Sequence, residues 1–247
     1  MNKISLEKLF VINLPRFSMI GFMFCVIVSM YLYKGGIYHM ISSDGIPMCP
    51  GESCVDEGHL TDGYLFFKNF LSDLGRTQTH SGQLNFHSSL LFNMALSLGG
   101  VTYILFYIFL KNLFPNKILA KLGSLFGICG AISFIGVAFT PADTSIDPHI
   151  FFAHWIFRSL FVVSIIYSIL IFKSIGFDNK YAYGFIIFGI MVLAYVVYSE
   201  LVLRDPRQFP EDLIKHVVAQ KMIVFWLLAA IYIYSKGLGQ YLNDKLQ

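Results

Sequence analysis

Six apolar runs, each about as long as a helix needs to cross roughly 30 Å of hydrocarbon, constrain this chain more than any other feature. They cover 17–33, 86–110, 118–140, 151–172, 182–203 and 217–235. Hydrocarbon offers no hydrogen-bond partners, so each run must satisfy its own backbone as a helix. The predicted fold is therefore all-α, a polytopic transmembrane bundle of six helices. Composition agrees: 56% of the 247 residues are hydrophobic and 13% charged, with a mean hydropathy of +0.64. That is too few charges to clothe a soluble domain. With no low-complexity tract and no repeat at 20–50 residues, one helical domain over 1–247 is expected.

Basic residues set the expected orientation. Lys3, Lys8 and Arg16 precede the first run, and Lys111, Lys117, Lys121, Lys173, Lys180, Lys236 and Lys245 fall in segments on the same side of the membrane. The opposite 141–150 connection has none, so the bias predicts an N-in, C-in arrangement, with Arg204, Arg207 and Lys215 as weaker counter-evidence. No small-residue cleavage site follows Tyr31-Leu32-Tyr33, so the first run reads as a retained signal anchor. A net charge of +3 scattered along the chain forms no concentrated basic footprint, and no nucleic-acid partner is expected.

One long connection, 34–85, lies between the first and second helices and is predicted to be extracytoplasmic. It carries turn chemistry at Lys34-Gly35-Gly36, Asp44-Gly45-Ile46-Pro47 and Asp62-Gly63. Phe67, Phe70, Leu71 and Leu74 follow helical spacing with Lys68, Asp73 and Arg76 between them, which predicts a short helix on the membrane surface. Cys49 and Cys54 share this loop; they form a disulfide or remain two thiols, and their spacing alone does not decide.

Polar residues are distributed unevenly. All seven histidines, His39, His59, His80, His87, His149, His154 and His216, map to the outer side or to outer helix ends, and most acids do likewise. Ionisable groups entering a membrane are costly, so their convergence on one face marks a candidate site. The second helix carries Asn85, Ser89, Asn93 and Ser97 in one stripe, suited either to a ligand or to interhelical hydrogen bonds. His154 and Arg158, four residues apart, share a helix face. Asp147 is expected to cap the fourth helix, and Glu200 to pair with Arg204 one turn on.

From these residues the expected catalytic set is Asp143, His149, His154 and His87, with Asp143 and His154 handling protons. Asp73, Arg76, Asn93, Arg158, Glu200 and His216 would bind substrate, the two arginines holding an anionic headgroup. His87, Asp143 and His154 are the candidate ligands of a divalent metal such as zinc, although no short metal-binding motif is present.

Asn69-Phe70-Leu71-Ser72-Asp73-Leu74-Gly75-Arg76-Thr77, followed by Leu91-Phe92-Asn93 and Gly99-Gly100, resembles a prokaryotic six-helix membrane family called domain of unknown function 998. That family places Ser-Glu/Asp-Leu-Gly before an apolar helix with Phe-Asn and Gly. Its Phe-Pro-Thr-Asp stretch and following histidine are matched by Phe139-Thr140-Pro141-Ala142-Asp143, His149 and His154, with inverted Thr-Pro and the extra Ala142 as departures. Ser72-Asp73-Leu74-Gly75 is also similar, more distantly, to the Ser-Asp-x-Gly of the Frag1/DRAM/Sfk1 membrane proteins. The first resemblance implies a six-helix protein of the prokaryotic cytoplasmic membrane, and the second a lipid-related role at the non-cytoplasmic face of a membrane.

The leading expectation is a membrane-embedded hydrolase or acyl transferase of lipid or lipid-linked metabolism, with membrane lipid as partner. Alternatives are a non-catalytic lipid-binding or regulatory bundle and, third, a transporter, which would need a polar path reaching the inner face.

Overall fold

A computed structural model of the chain describes residues 3–37, 63–206 and 209–244. Its helices are α1 (Lys3–Lys8), α2 (Leu14–Leu32), α3 (Phe86–Leu110), α4 (Lys117–Phe139), α5 (Ile146–Phe172), α6 (Lys180–Val197) and α7 (Leu213–Asp244). A π turn at Leu9–Asn13 joins α1 to α2, another at Tyr198–Val202 extends α6, and 3-10 turns lie at Leu71–Gly75 and Pro210–Asp212. Among the described residues six stretches are long and apolar enough to cross a membrane: Leu6–Leu32, Phe86–Leu110, Lys117–Phe139, Ile146–Phe172, Lys180–Val202 and Leu213–Asp244. The architecture is the helical bundle of an integral membrane protein.

Helix bounds depart from the sequence reading where polar residues masked a helix. α5 starts at Ile146 rather than 151 because Pro148 falls in its first turn, where no intrahelical N–H is needed. The first span begins well before residue 17, with Pro15 near the start of α2 just after the π turn. Proline cannot supply an i→i−4 donor, which accounts for the altered ladder there. α7 runs past 235 to Asp244, carried by a face of Leu238, Tyr241 and Leu242 that stays buried beyond the apolar run.

Successive spans pack as neighbours, α2 on α3, α3 on α4, α4 on α5, α5 on α6 and α6 on α7, and α7 returns to α2, closing a ring. Hydrogen bonds from Arg16 Nε to Ser235 Oγ (2.9 Å) and from Lys8 Nζ to Asn243 Oδ1 (2.9 Å) fasten that closure. The start of the first span and the end of α7 therefore meet at one end of the bundle, called here the terminal end. The segments 63–85, 140–145, 203–206 and 209–212 lie at the other, the loop end.

Two cores divide the interior. The terminal-end core gathers Phe106, Tyr107, Leu110, Phe114, Tyr167, Leu170, Phe177, Tyr234 and Tyr241, among others, around fully buried Tyr167. Gly127 of α4 admits the Tyr107 ring so closely that a Cβ would collide with it, the close approach that small residues allow in membranes. The loop-end core is built from Val26, Leu71, Leu74, Phe92, Leu96, Val137, Ile156, Val192 and Ile223.

One expectation for the long connection changes. The predicted surface helix is instead a 3-10 turn, Leu71–Gly75, sunk against α2, α3 and α7 with Leu71, Asp73 and Leu74 all buried. The apolar spacing located the buried residues, but Asp73 joins them because its carboxylate finds partners inside. Cys49 and Cys54 lie outside the described residues, while Cys25 and Cys129 are free thiols.

Candidate functional site

The loop end is organised by Asn69, which is fully buried. Its Nδ2 donates to Gly36 O (2.8 Å), its Oδ1 accepts from Leu65 N–H (2.8 Å), and its carbonyl accepts from Lys221 Nζ (2.6 Å) and Tyr64 OH (3.0 Å). Lys221 sits over the Tyr64 and Phe66 rings, 5.3 and 5.0 Å from their centroids. One residue earlier on α7, Gln220 Oε1 accepts from Leu71 N–H (2.7 Å). A single asparagine and two residues of α7 thus fix the entry to the 3-10 turn.

α3 holds its exit. Asn85 Nδ2 donates to the carbonyls of Leu74 (3.1 Å) and Arg76 (2.9 Å), Ser88 Oγ to Leu74 O (3.2 Å), and Asn93 Nδ2 to Gly75 O (3.2 Å). Gly75 is required for this contact, since a Cβ there would fall 2.6 Å from Asn93 Oδ1. Two members of the polar stripe of α3, Asn85 and Asn93, thus bind the loop's backbone, while Ser89 Oγ donates to Phe86 O within the helix. Ser89, Asn93 and Ser97 also line a groove between α3 and α4 with Ala138 and Phe139.

Asp73 is 2% exposed and receives Phe70 N–H at 2.8 Å and the His80 Nε2 at 3.0 Å. Burial pushes its carboxyl upward. The charge and hydrogen bond of His80, the Arg76 charge and the Phe70 N–H outweigh that and hold it below the ordinary carboxylate value. Nearby, Asp143 accepts from Thr77 Oγ1 (2.5 Å), Thr77 N–H (3.1 Å) and Gln78 N–H (2.9 Å), bonds that overcome partial burial and keep its carboxyl low as well. Both oxygens of Asp143 are therefore engaged in tying the 77–78 backbone to the α4–α5 connection.

His149 is buried at the start of α5, and its Nδ1 lies 2.7 Å from Thr140 O. A carbonyl can only accept, so Nδ1 carries the hydrogen and Nε2 is left as the ring's acceptor. The charges of Asp73, Arg76 and Asp143 all reach this ring. Beneath it lies a cavity of about 120 Å³ among α2, α3, α4, α5 and α7. Ser72, His149 and Gln220 provide polar groups at its loop end, Ser18 and Tyr103 lie deeper, and Phe92, Ala95, Ala153, Phe157 and Leu227 are among its apolar walls.

His154 and Arg158 face elsewhere. At 100° per residue they stand roughly 140° and 180° around α5 from His149. Arg158 Nη2 pairs with Glu200 Oε2 at 2.7 Å, and His154 Nδ1 is 3.8 Å from Glu200 Oε1. The expected Glu200–Arg204 pair does not form. Arg204 turns instead to Asp212 (2.9 Å) and Glu211 (2.8 Å), because the π turn and Leu203 carry it off the α6 helix. His216 Nε2 bonds Arg204 O at 2.9 Å, and exposed His87 lies edge-on to the Phe86 ring.

The single outer site expected from sequence is thus divided. Asp73, Arg76, Asn93, Asp143 and His149 gather around the 69–80 segment; His154, Arg158 and Glu200 form a second cluster; His87 and His216 join neither. Asp147 stands exposed in the first turn of α5, where Ser145 occupies the N-cap position and makes no side-chain cap bond, so the predicted Asp147 cap is replaced. His87, Asp143 and His154 do not converge as metal ligands, and among the described residues no three His, Cys, Asp or Glu side chains are placed to hold a metal. Asn69, Ser72, His80, Gln220 and Lys221 were not selected from sequence. Asn69 and Ser72 stood inside the motif, but nothing local distinguishes a buried asparagine or a cavity-lining serine from a turn residue.

No family model, curated protein or solved structure matches the chain.

Proposed function

We propose that the protein binds a membrane lipid or lipid-linked molecule, its apolar end in the interior cavity and its polar end beneath the 69–80 segment. The observation that carries this reading is the cavity itself, apolar in its walls and polar at its loop end. An apolar cavity of about 150 Å³ stays dry and accepts a benzene-sized guest, so the present one suits the tip of an acyl chain. Lysines at the terminal end, including Lys111, Lys117, Lys173 and Lys236, favour a cytoplasmic position for it and an extracytoplasmic one for the loop end. Lipid binding is preferred to transport because the terminal-end rings close around a space of only about 40 Å³. Proton transfer between Asp143 and His154 draws less support, since Asp143 is engaged by the loop and His154 faces α6.

Native mass spectrometry of detergent-purified protein tests the proposal. Wild type is expected to retain a lipid adduct, and Ala95→Leu with Ala153→Leu, which fill the cavity, to lose it. An empty wild type, or an adduct indifferent to the filled cavity, overturns the reading.

A further inference from the structure

We propose that Ser72, His149 and Gln220 form an acyl-transfer site at the head of the cavity, acting on a carboxylic ester of a lipid; this rests on the lipid-binding reading above. Three separate elements, the 3-10 turn, α5 and α7, bring these side chains to one enclosure. His149 and Gln220 arrive with their hydrogen-bonding roles fixed by neighbours.

Thr140 O holds Nδ1–H of His149, and Thr140 is itself fastened through its Oγ1 to Gly136 O at 2.8 Å. That carbonyl sets the tautomer and ring orientation, as a third group does for the base in nucleophile–base pairs. Nε2 is then the proton acceptor. Gln220 gives its Oε1 to Leu71 N–H, which leaves the amide NH₂ as donor toward a developing oxyanion. Among the described residues the Ser72 hydroxyl makes no hydrogen bond to the protein, so its proton is available to transfer.

The step balances with an ester and an accepting alcohol or water. Ser72 Oγ attacks the ester carbonyl carbon as His149 Nε2 takes the hydroxyl proton. The carbonyl C–O bond to the lipid alcohol breaks, and that alcohol leaves with the proton from Nε2. Water or a second alcohol then attacks the acyl-serine, passing its proton through Nε2 back to Ser72 Oγ. The acyl chain, lying in the cavity, is the part of the substrate common to both halves.

A long-chain alkyl fluorophosphonate on the detergent-purified full chain, with peptide mapping, tests this. The expected result is one adduct, on Ser72, absent in Ser72→Ala and formed at least about 100-fold more slowly in His149→Gln, within the range a general base contributes. Thermal unfolding of each variant separates lost reactivity from lost fold. If His149→Gln unfolds, the pH dependence of labelling in wild type replaces it, and a rate that does not rise with deprotonation of one group overturns the proposal. No adduct on Ser72, or one whose rate ignores His149, also overturns it. A photoactivatable fatty acid assayed in parallel distinguishes the two readings: crosslinks to the cavity walls without a Ser72 adduct leave lipid binding standing, and absence of both removes it as well.

Discussion

The two ends of the bundle are built from the same apolar helices but are held by different forces. At the terminal end, aromatic rings fill the interior: Phe177 stacks 6.1 Å from Phe114 and lies 4.9 Å from Tyr241, and Phe185 meets Tyr234 edge-on at 4.5 Å. Lipid tails are as apolar as these rings, so close dispersion contact, not escape from water, holds them together. At the loop end the helices leave a cavity between them, and a polar segment stapled by Asn69, Asp73, Asn85 and Gln220 closes it. The difference teaches where a membrane bundle can keep space: dense ring packing secures one end, so hydrogen bonds at the other can hold a lid over an unfilled volume.

Breaking the dense end should have the largest effect. Tyr167→Ala removes a fully buried ring and is expected to destabilise the protein by about 3–5 kcal/mol, read from unfolding in detergent. A loss no greater than that of Phe157→Ala, on the cavity wall, would show the two ends to be equally packed.

Next comes the staple. Asp73→Asn leaves His80 and the Phe70 N–H with a weaker partner, for an expected loss of about 1–3 kcal/mol. Hydrogen exchange should localise it, with protection falling at 69–85 and unchanged around Tyr167. Acid should do the same. Asp73 and Asp143 titrate lower folded than unfolded, so their stabilisation is complete above the unfolded value near 3.8 and is lost as pH falls through their lower folded values. Exchange at 69–80 should therefore rise below about pH 4 before the terminal end responds; simultaneous loss would contradict separate cores.

Adding atoms sharpens the contrast further. Gly127→Ala drives a methyl into the Tyr107 ring and is expected to cost about 1–3 kcal/mol, whereas Ala95→Leu enters the cavity and should leave the melting temperature unchanged or raised. The smallest effect belongs to the partly exposed cluster on α5 and α6. Glu200→Gln weakens the pair with Arg158, 45% exposed, and should change stability by less than about 1 kcal/mol.

The helices were legible in sequence because the bilayer imposes length and apolarity on every span independently of its neighbours. The second span was read as 86–110, the range the helix occupies. Bounds failed at Pro148 and after 235, where a helix continues into polar sequence with one buried face. The candidate site was only partly legible. His154 and Arg158 could be joined through helical periodicity, and Glu200 could be flagged as a charge at a helix end, but its partner choice depended on a neighbouring helix rather than on Arg204.

What the sequence by itself determined is the number and character of the spans; the segment 69–77 stood out as a motif, but its expected place was the membrane surface. The tertiary structure decided which polar groups face one another. Asp73 turned inward to His80, Asp143 became an anchor for Thr77 and Gln78, and Ser72, His149 and Gln220 came to share a cavity from positions far apart in the chain. The reason is physical. Burial in lipid is a property of each segment alone, whereas a hydrogen bond between distant side chains exists only after the ring of helices has closed and set their distance and direction.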